Sequence, residues 1–86
     1  MSAYYNIEGK KVRVSDHEPN TKLNGSNDIY IWEKDACGNN LSIGGQIDRF
    51  IDKYEMELSS FEPIIKDYAA KDEECMYMLM EIQRNK

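Results

Sequence analysis

Four residues with catalytic chemistry stand together near the start of the chain: Ser15, Asp16, His17 and Glu18. A hydroxyl, two carboxylates and an imidazole are the parts of a hydrolase or a metal centre, because histidine exchanges a proton near neutral pH and a carboxylate can orient it. Their spacing argues against both. Neighbouring residues on an extended chain point to opposite faces, so Asp16 and Glu18 share a side from which His17 is turned away. Triads and metal sites also gather their members from distant segments. His17 is the single histidine of the chain, which removes any two-histidine site. The local reading is a strand exit, in which Ser15 and Asp16 bond the backbone where the strand ends. A small metal-dependent hydrolase around Asp16, His17 and Glu18 is the enzymatic alternative, and no catalytic, cofactor or metal role is assigned to any residue.

Other chemistry-bearing patterns fall short in the same way. The stretch Asp35 to Asn39, "DACGN", lacks the alternating acidic spacing and the twelfth-position Glu of a calcium loop and reads as a hairpin turn. Gly44 and Gly45 open a helix without the Lys of a phosphate loop. Cys37 and Cys75 have neither CxxC spacing nor the companions of a zinc site. A reducing, cytoplasmic location is the expectation. No apolar leader and no run of about 18 apolar residues appears, so neither secretion nor a membrane span is expected.

The elements that would position these residues change character near the middle of the chain. In "YYNIEGKKVRV" Val12 and Val14 alternate with Lys11 and Arg13, predicting a hairpin around Glu8 and Gly9. A loop rich in Ser, Asp, Asn and Gly follows over 15–28. "IYIWEKD" then alternates Ile29 and Ile31 with Tyr30 and Trp32, the strongest strand pattern present. "LSI" at 41–43 is expected to return as a short antiparallel partner. From Gly45 the period becomes helical: Ile47, Phe50, Ile51, Tyr54 and Leu58 form one stripe, with Ser42 as its cap. "SSFEP" at 59–63 predicts a second helix start, and Ile64, Ile65, Tyr68, Cys75, Met78, Leu79 and Ile82 then share a face. The expected fold is α+β, a single domain over 1–86, with a small antiparallel sheet of three to four short strands followed by two C-terminal helices packed on it.

Two surfaces remain once that core is assigned. Asp48, Asp52 and Glu55 make an acidic stripe beside the apolar face of the first helix, where carboxylates four residues apart repel each other. On the second helix, "CMYMLM" is more apolar than one buried face requires, and Ala69, Met76 and Met80 make an additional stripe. Methionine suits an adaptable contact surface. These six residues are the expected protein-binding positions.

Charge narrows the class of partner. The formal net charge is -5, and residues 45–86 hold ten acids against six bases while residues 1–44 hold six against five. Affinity for phosphate backbones comes from Lys and Arg displacing counterions, so direct nucleic-acid binding is not expected and a basic protein partner is. The stretch "KVRVSDHEPNTKLNGSNDIYIWEKD", residues 11–35 with "RVSDHEPN" within it, resembles segments of small proteins from phages and other mobile elements of gut-type bacteria. That resemblance implies a non-enzymatic module that binds and inhibits host machinery, such as a nuclease or another nucleic-acid-binding protein. In that setting the acidic helix would imitate nucleic acid. A structural homodimer without inhibitory role is the alternative.

Overall fold

The computed structural model describes residues 2–18 and 28–85, and the chain divides into two compact units, Met1–Leu41 and Ser42–Lys86. The class is α+β, with three strands preceding the helices. Residues 19–27 of the expected loop lie outside the described residues.

In the first unit, β1 (Ser2–Ile7) and β2 (Lys10–His17) form the expected hairpin, paired antiparallel with Tyr4 opposite Arg13 and Ile7 opposite Lys10. Glu8 and Gly9 both hold positive φ, 51° and 80°. That is the two-residue turn whose twist matches the flanking strands, and only the glycine adopts it without steric cost. β3 (Ile29–Lys34) lies on the other side of β2, but parallel to it, with Val12 beside Ile29 and Val14 beside Ile31. The sheet is therefore mixed rather than wholly antiparallel. Ile7, Val12, Val14, Ile29 and Ile31 are buried, and all belong to one face by the alternation of the pleat.

The expected fourth strand is reduced to one bridge, Lys34 with Asn40, supported by the Leu41 amide donating to the Glu33 carbonyl at 2.7 Å. Two local demands explain this. Asp35 folds the chain back on itself: one carboxylate oxygen accepts from the Cys37 and Asn39 amides, each at 2.9 Å, and Gly38 takes φ 85°. These bonds, that of Asn39 foremost, hold the Asp35 carboxyl below its ordinary pKa. Ser42 is then committed to capping the next helix, accepting from the Gly45 amide at 3.0 Å.

The second unit contains α1 (Ile43–Tyr54), a short 3-10 turn (Leu58–Phe61), α2 (Glu62–Tyr68) and α3 (Glu73–Arg84). The single second helix expected from the sequence is thus divided, with the break at Ala69 to Asp72. Asp72 causes the division. Its extended backbone and its side chain, which accepts from the Cys75 amide at 3.1 Å, restart the helix. The other oxygen of the same carboxylate accepts from the Ile43 amide at 2.5 Å, so it also serves the first turn of α1. Buried Ile43, Ile47, Met56, Phe61, Ile64, Ile65, Cys75, Met78 and Ile82 make the helical core, and α3 packs against both α1 and α2. Each such aliphatic or aromatic side chain contributes roughly 1.5 to 3 kcal/mol by leaving water.

The two helix starts lie so close that residue 44 has no room for a side chain. A Cβ there would collide with the Glu74 side chain and fall 2.9 Å from the Cys75 amide nitrogen. The Asp72 carboxylate depends on that approach to reach both helices. Asp72→Ala should therefore lower unfolding free energy by about 2 to 3 kcal/mol, more than the roughly 1 kcal/mol of an ordinary lost cap, because two helix amides lose their acceptor together. Urea denaturation of Asp72→Ala beside Ser42→Ala measures the difference, and equal losses would show that the second bond contributes nothing. Among the described residues no helix is long and apolar enough to cross a membrane.

Candidate protein-binding surface

α3 buries one side and leaves a second apolar side in solvent. Cys75, Met78 and Ile82 point into the helical core with Leu79 half-buried, whereas Met76, Tyr77 and Met80 are 42%, 57% and 57% exposed. Residues 76, 77 and 80 lie on adjoining positions one turn apart, and positions 73 and 84 continue the same stripe toward the two helix ends. Tyr77 donates its hydroxyl to Glu73 Oε1 at 3.1 Å, which fixes the ring along the helix and raises the phenol above its ordinary pKa. Tyr77, Met80, Glu81, Gln83 and Arg84 border an open depression on this side of α3. The face is apolar at its centre, with Glu73 at its N-terminal end, as the macrodipole of the helix favours, and Arg84 beside Glu81 at its C-terminal end.

The residues expected at this surface are only partly brought together. Met76 and Met80 are adjacent and exposed, but Ala69 is half-buried at the end of α2, separated from them by the turn that Asp72 closes. Tyr77 was not among the expected positions. Its signal is present in the sequence, since it lies between two methionines on the side opposite Cys75 and Met78.

The acidic stripe also changes form. Asp48 and Asp52 are exposed on α1, with Arg49 and Lys53 exposed beside them, so the helix surface carries two charges of each sign. Glu55 is not helical. It is the left-handed cap, φ 52°, whose amide donates to the Ile51 carbonyl, and the Met56 amide donates to the same oxygen at 3.0 Å. This is the closure usually given to glycine, here followed by a buried methionine.

The Ser15 to Glu18 cluster lies on and just beyond β2, which continues through His17 rather than ending at Ser15. Ser15 donates its hydroxyl to the His17 carbonyl at 2.9 Å, and the Glu18 amide extends the ladder to the Lys34 carbonyl at 3.1 Å. His17 is paired in register with Lys34, on the face opposite Asp16. Among the described residues no three His, Cys, Asp or Glu side chains are grouped as a metal ion would require.

Comparison with protein-family models, with curated proteins and with solved structures gives no match for this chain.

Three outcomes follow from this geometry. Replacing Glu55 with Gly should raise stability by about 1 kcal/mol, because a non-glycine residue bears a steric cost in the left-handed region. An unchanged or lower denaturation midpoint would assign Glu55 a contact that outweighs that cost. The cysteines should differ in reactivity: Cys37 is exposed, whereas burial, reinforced by the Asp72 carboxylate, pushes the Cys75 thiol up to about 12. A thiol reagent at pH 8 to 9 should label one site per chain in the native state and two in denaturant. Ionisation of Cys75 in the unfolded chain alone should also erode stability as pH rises from about 9 toward about 12.

Proposed function

We propose that this chain is a small non-enzymatic protein-binding module whose docking face is the exposed side of α3. The observation that carries this reading is the exposure of Met76, Tyr77 and Met80 on a helix that already buries Cys75, Met78 and Ile82. A folded domain gains nothing for its own core from that second stripe, whereas a partner that covers it removes three large apolar side chains from water.

A second copy of the chain is the partner this face fits. In an antiparallel pairing centred between Met78 and Leu79, Tyr77 meets the second copy's Met80, and Glu73 meets the second copy's Arg84. The arrangement is self-complementary, as a two-fold interface must be, and it sets the helix dipoles in opposition. The reading in which α1 imitates nucleic acid has less support, because Arg49 and Lys53 interrupt Asp48 and Asp52.

Light scattering across a concentration series tests the proposal. Wild type should shift from monomer toward dimer, and Met76→Glu with Met80→Glu should remain a folded monomer, losing about 1.5 to 3 kcal/mol of association for each side chain fully buried in the dimer. Glu73→Arg should weaken the dimer by opposing Arg84, and adding Arg84→Glu should restore it. A double methionine variant that unfolds would place those residues in the core. A wild type that stays monomeric at every concentration would exclude the second copy as partner.

A further inference from the structure

The net charge of -5 hides a segregation that the sheet imposes. With Val12, Val14, Ile29 and Ile31 committed to the buried face, alternation directs Tyr4, Asn6, Lys11, Arg13, His17, Tyr30, Trp32 and Lys34 to the other. None of these is acidic, and the strand carboxylates, Asp16 and Glu33, belong to the opposite side by the same count. The residues at its centre form a row across three strands, because Tyr4 is paired in register with Arg13 and Arg13 with Tyr30. The Arg13 guanidinium lies 5.9 Å from the Tyr4 ring centre and 5.8 Å from that of Tyr30, and Lys11 Nζ is 5.3 Å from Tyr4. Tyr4 is 59% exposed, Lys11, His17 and Lys34 are exposed, and Arg13, Tyr30 and Trp32 are half-buried.

We propose that this sheet face is a binding site for single-stranded nucleic acid. Its two chemistries occur together in such a ligand: unstacked bases offer flat π-faces to Tyr4, Tyr30 and Trp32, and the phosphates between them are anionic partners for Lys11, Arg13 and Lys34. An acidic protein segment would satisfy the cations but has no planar groups for the rings, and a duplex keeps its bases stacked. The acidic surplus lies in residues 45–86, outside the three strands that make this face. This site is independent of the α3 surface.

Trp32 is the single tryptophan, so its emission reports on this face directly. The test titrates the full chain with a short fluorescein-labelled oligothymidylate and an oligouridylate of equal length, reading anisotropy and, with unlabelled strands, Trp32 emission. The expected result is quenching together with binding that weakens as salt rises from about 50 mM to about 200 mM. Tyr4→Ala should weaken binding at least about fivefold, the lower range for loss of one stacked base. Lys11→Gln should reduce the slope of log affinity against log salt by about 0.7, the value for one phosphate contact on a single strand. Both residues are exposed, so both variants should keep the wild-type circular dichroism spectrum. The proposal is overturned by absence of binding at low salt, by binding that Tyr4→Ala and Lys11→Gln leave unchanged, or by equal affinity for polyglutamate, which would assign the face to an acidic protein instead.

Discussion

One carboxylate organises the helical unit. The two oxygens of Asp72 accept from the amides of Cys75 and Ile43, so the first turns of α3 and α1 converge on a single anion. Both helices direct the positive ends of their dipoles toward it, and charge-assisted bonds of this kind exceed neutral ones. The arrangement demands that the helix starts come within van der Waals distance of each other, and the missing side chain of Gly44 allows it. It also limits the choice at position 75, where the cysteine sits buried with its thiol held protonated. The division of the C-terminal region into α2 and α3, and hence the direction in which α3 presents its outer face, follows from this one interaction.

Much of the architecture was legible because local rules and tertiary requirements agreed. The hairpin at Glu8 and Gly9, the Ile29–Lys34 strand, the Ser42 cap and the inward face of α3 all follow from period, turn chemistry and capping. The parallel pairing of β3 was not legible, since Val12 and Val14 match Ile29 and Ile31 equally well in either direction when only the buried face is specified. Nor was the helix break at Asp72, because the apolar periodicity of Ile64 to Ile82 survives a turn of the right length. The αL cap at Glu55 was hidden for the opposite reason, as glutamate is a poor sequence signal for a conformation that glycine usually takes. Of the expected surface residues, Met76 and Met80 are exposed on α3, on the side to which face counting assigns them. Ala69 and Glu55 were misplaced with the helix boundaries they depended on.

Net charge is an average, and the strand alternation undoes the averaging. The reasoning that an acidic chain repels phosphate holds for a surface on which charges mix. Here Lys11 and Arg13 are interleaved with Val12 and Val14, so one register decision sends both cations to the same side and places them beside Tyr4 and Tyr30. Cation and ring then support each other electrostatically, each contact worth about 0.5 to 1 kcal/mol at an exposed site. The resulting row is stiff because it is anchored on three hydrogen-bonded strands rather than on a loop.

The two exposed surfaces differ in what they ask of a partner. The α3 face is a narrow apolar stripe with Glu73 and Arg84 toward its ends, and in the proposed pairing its energy would come from area removed from water, with those two charges setting direction. The sheet face is a polar platform whose cations are already partly engaged by rings, so an anion must compete with those contacts and offer a planar surface in return. Salt would act strongly on binding at the second and weakly on binding at the first. Each surface also belongs to a separate compact unit, so a substitution at Met80 changes no residue of the row formed by Tyr4, Arg13 and Tyr30. The two proposed binding activities would therefore be separable by mutation and by ionic strength, which makes each test a control for the other.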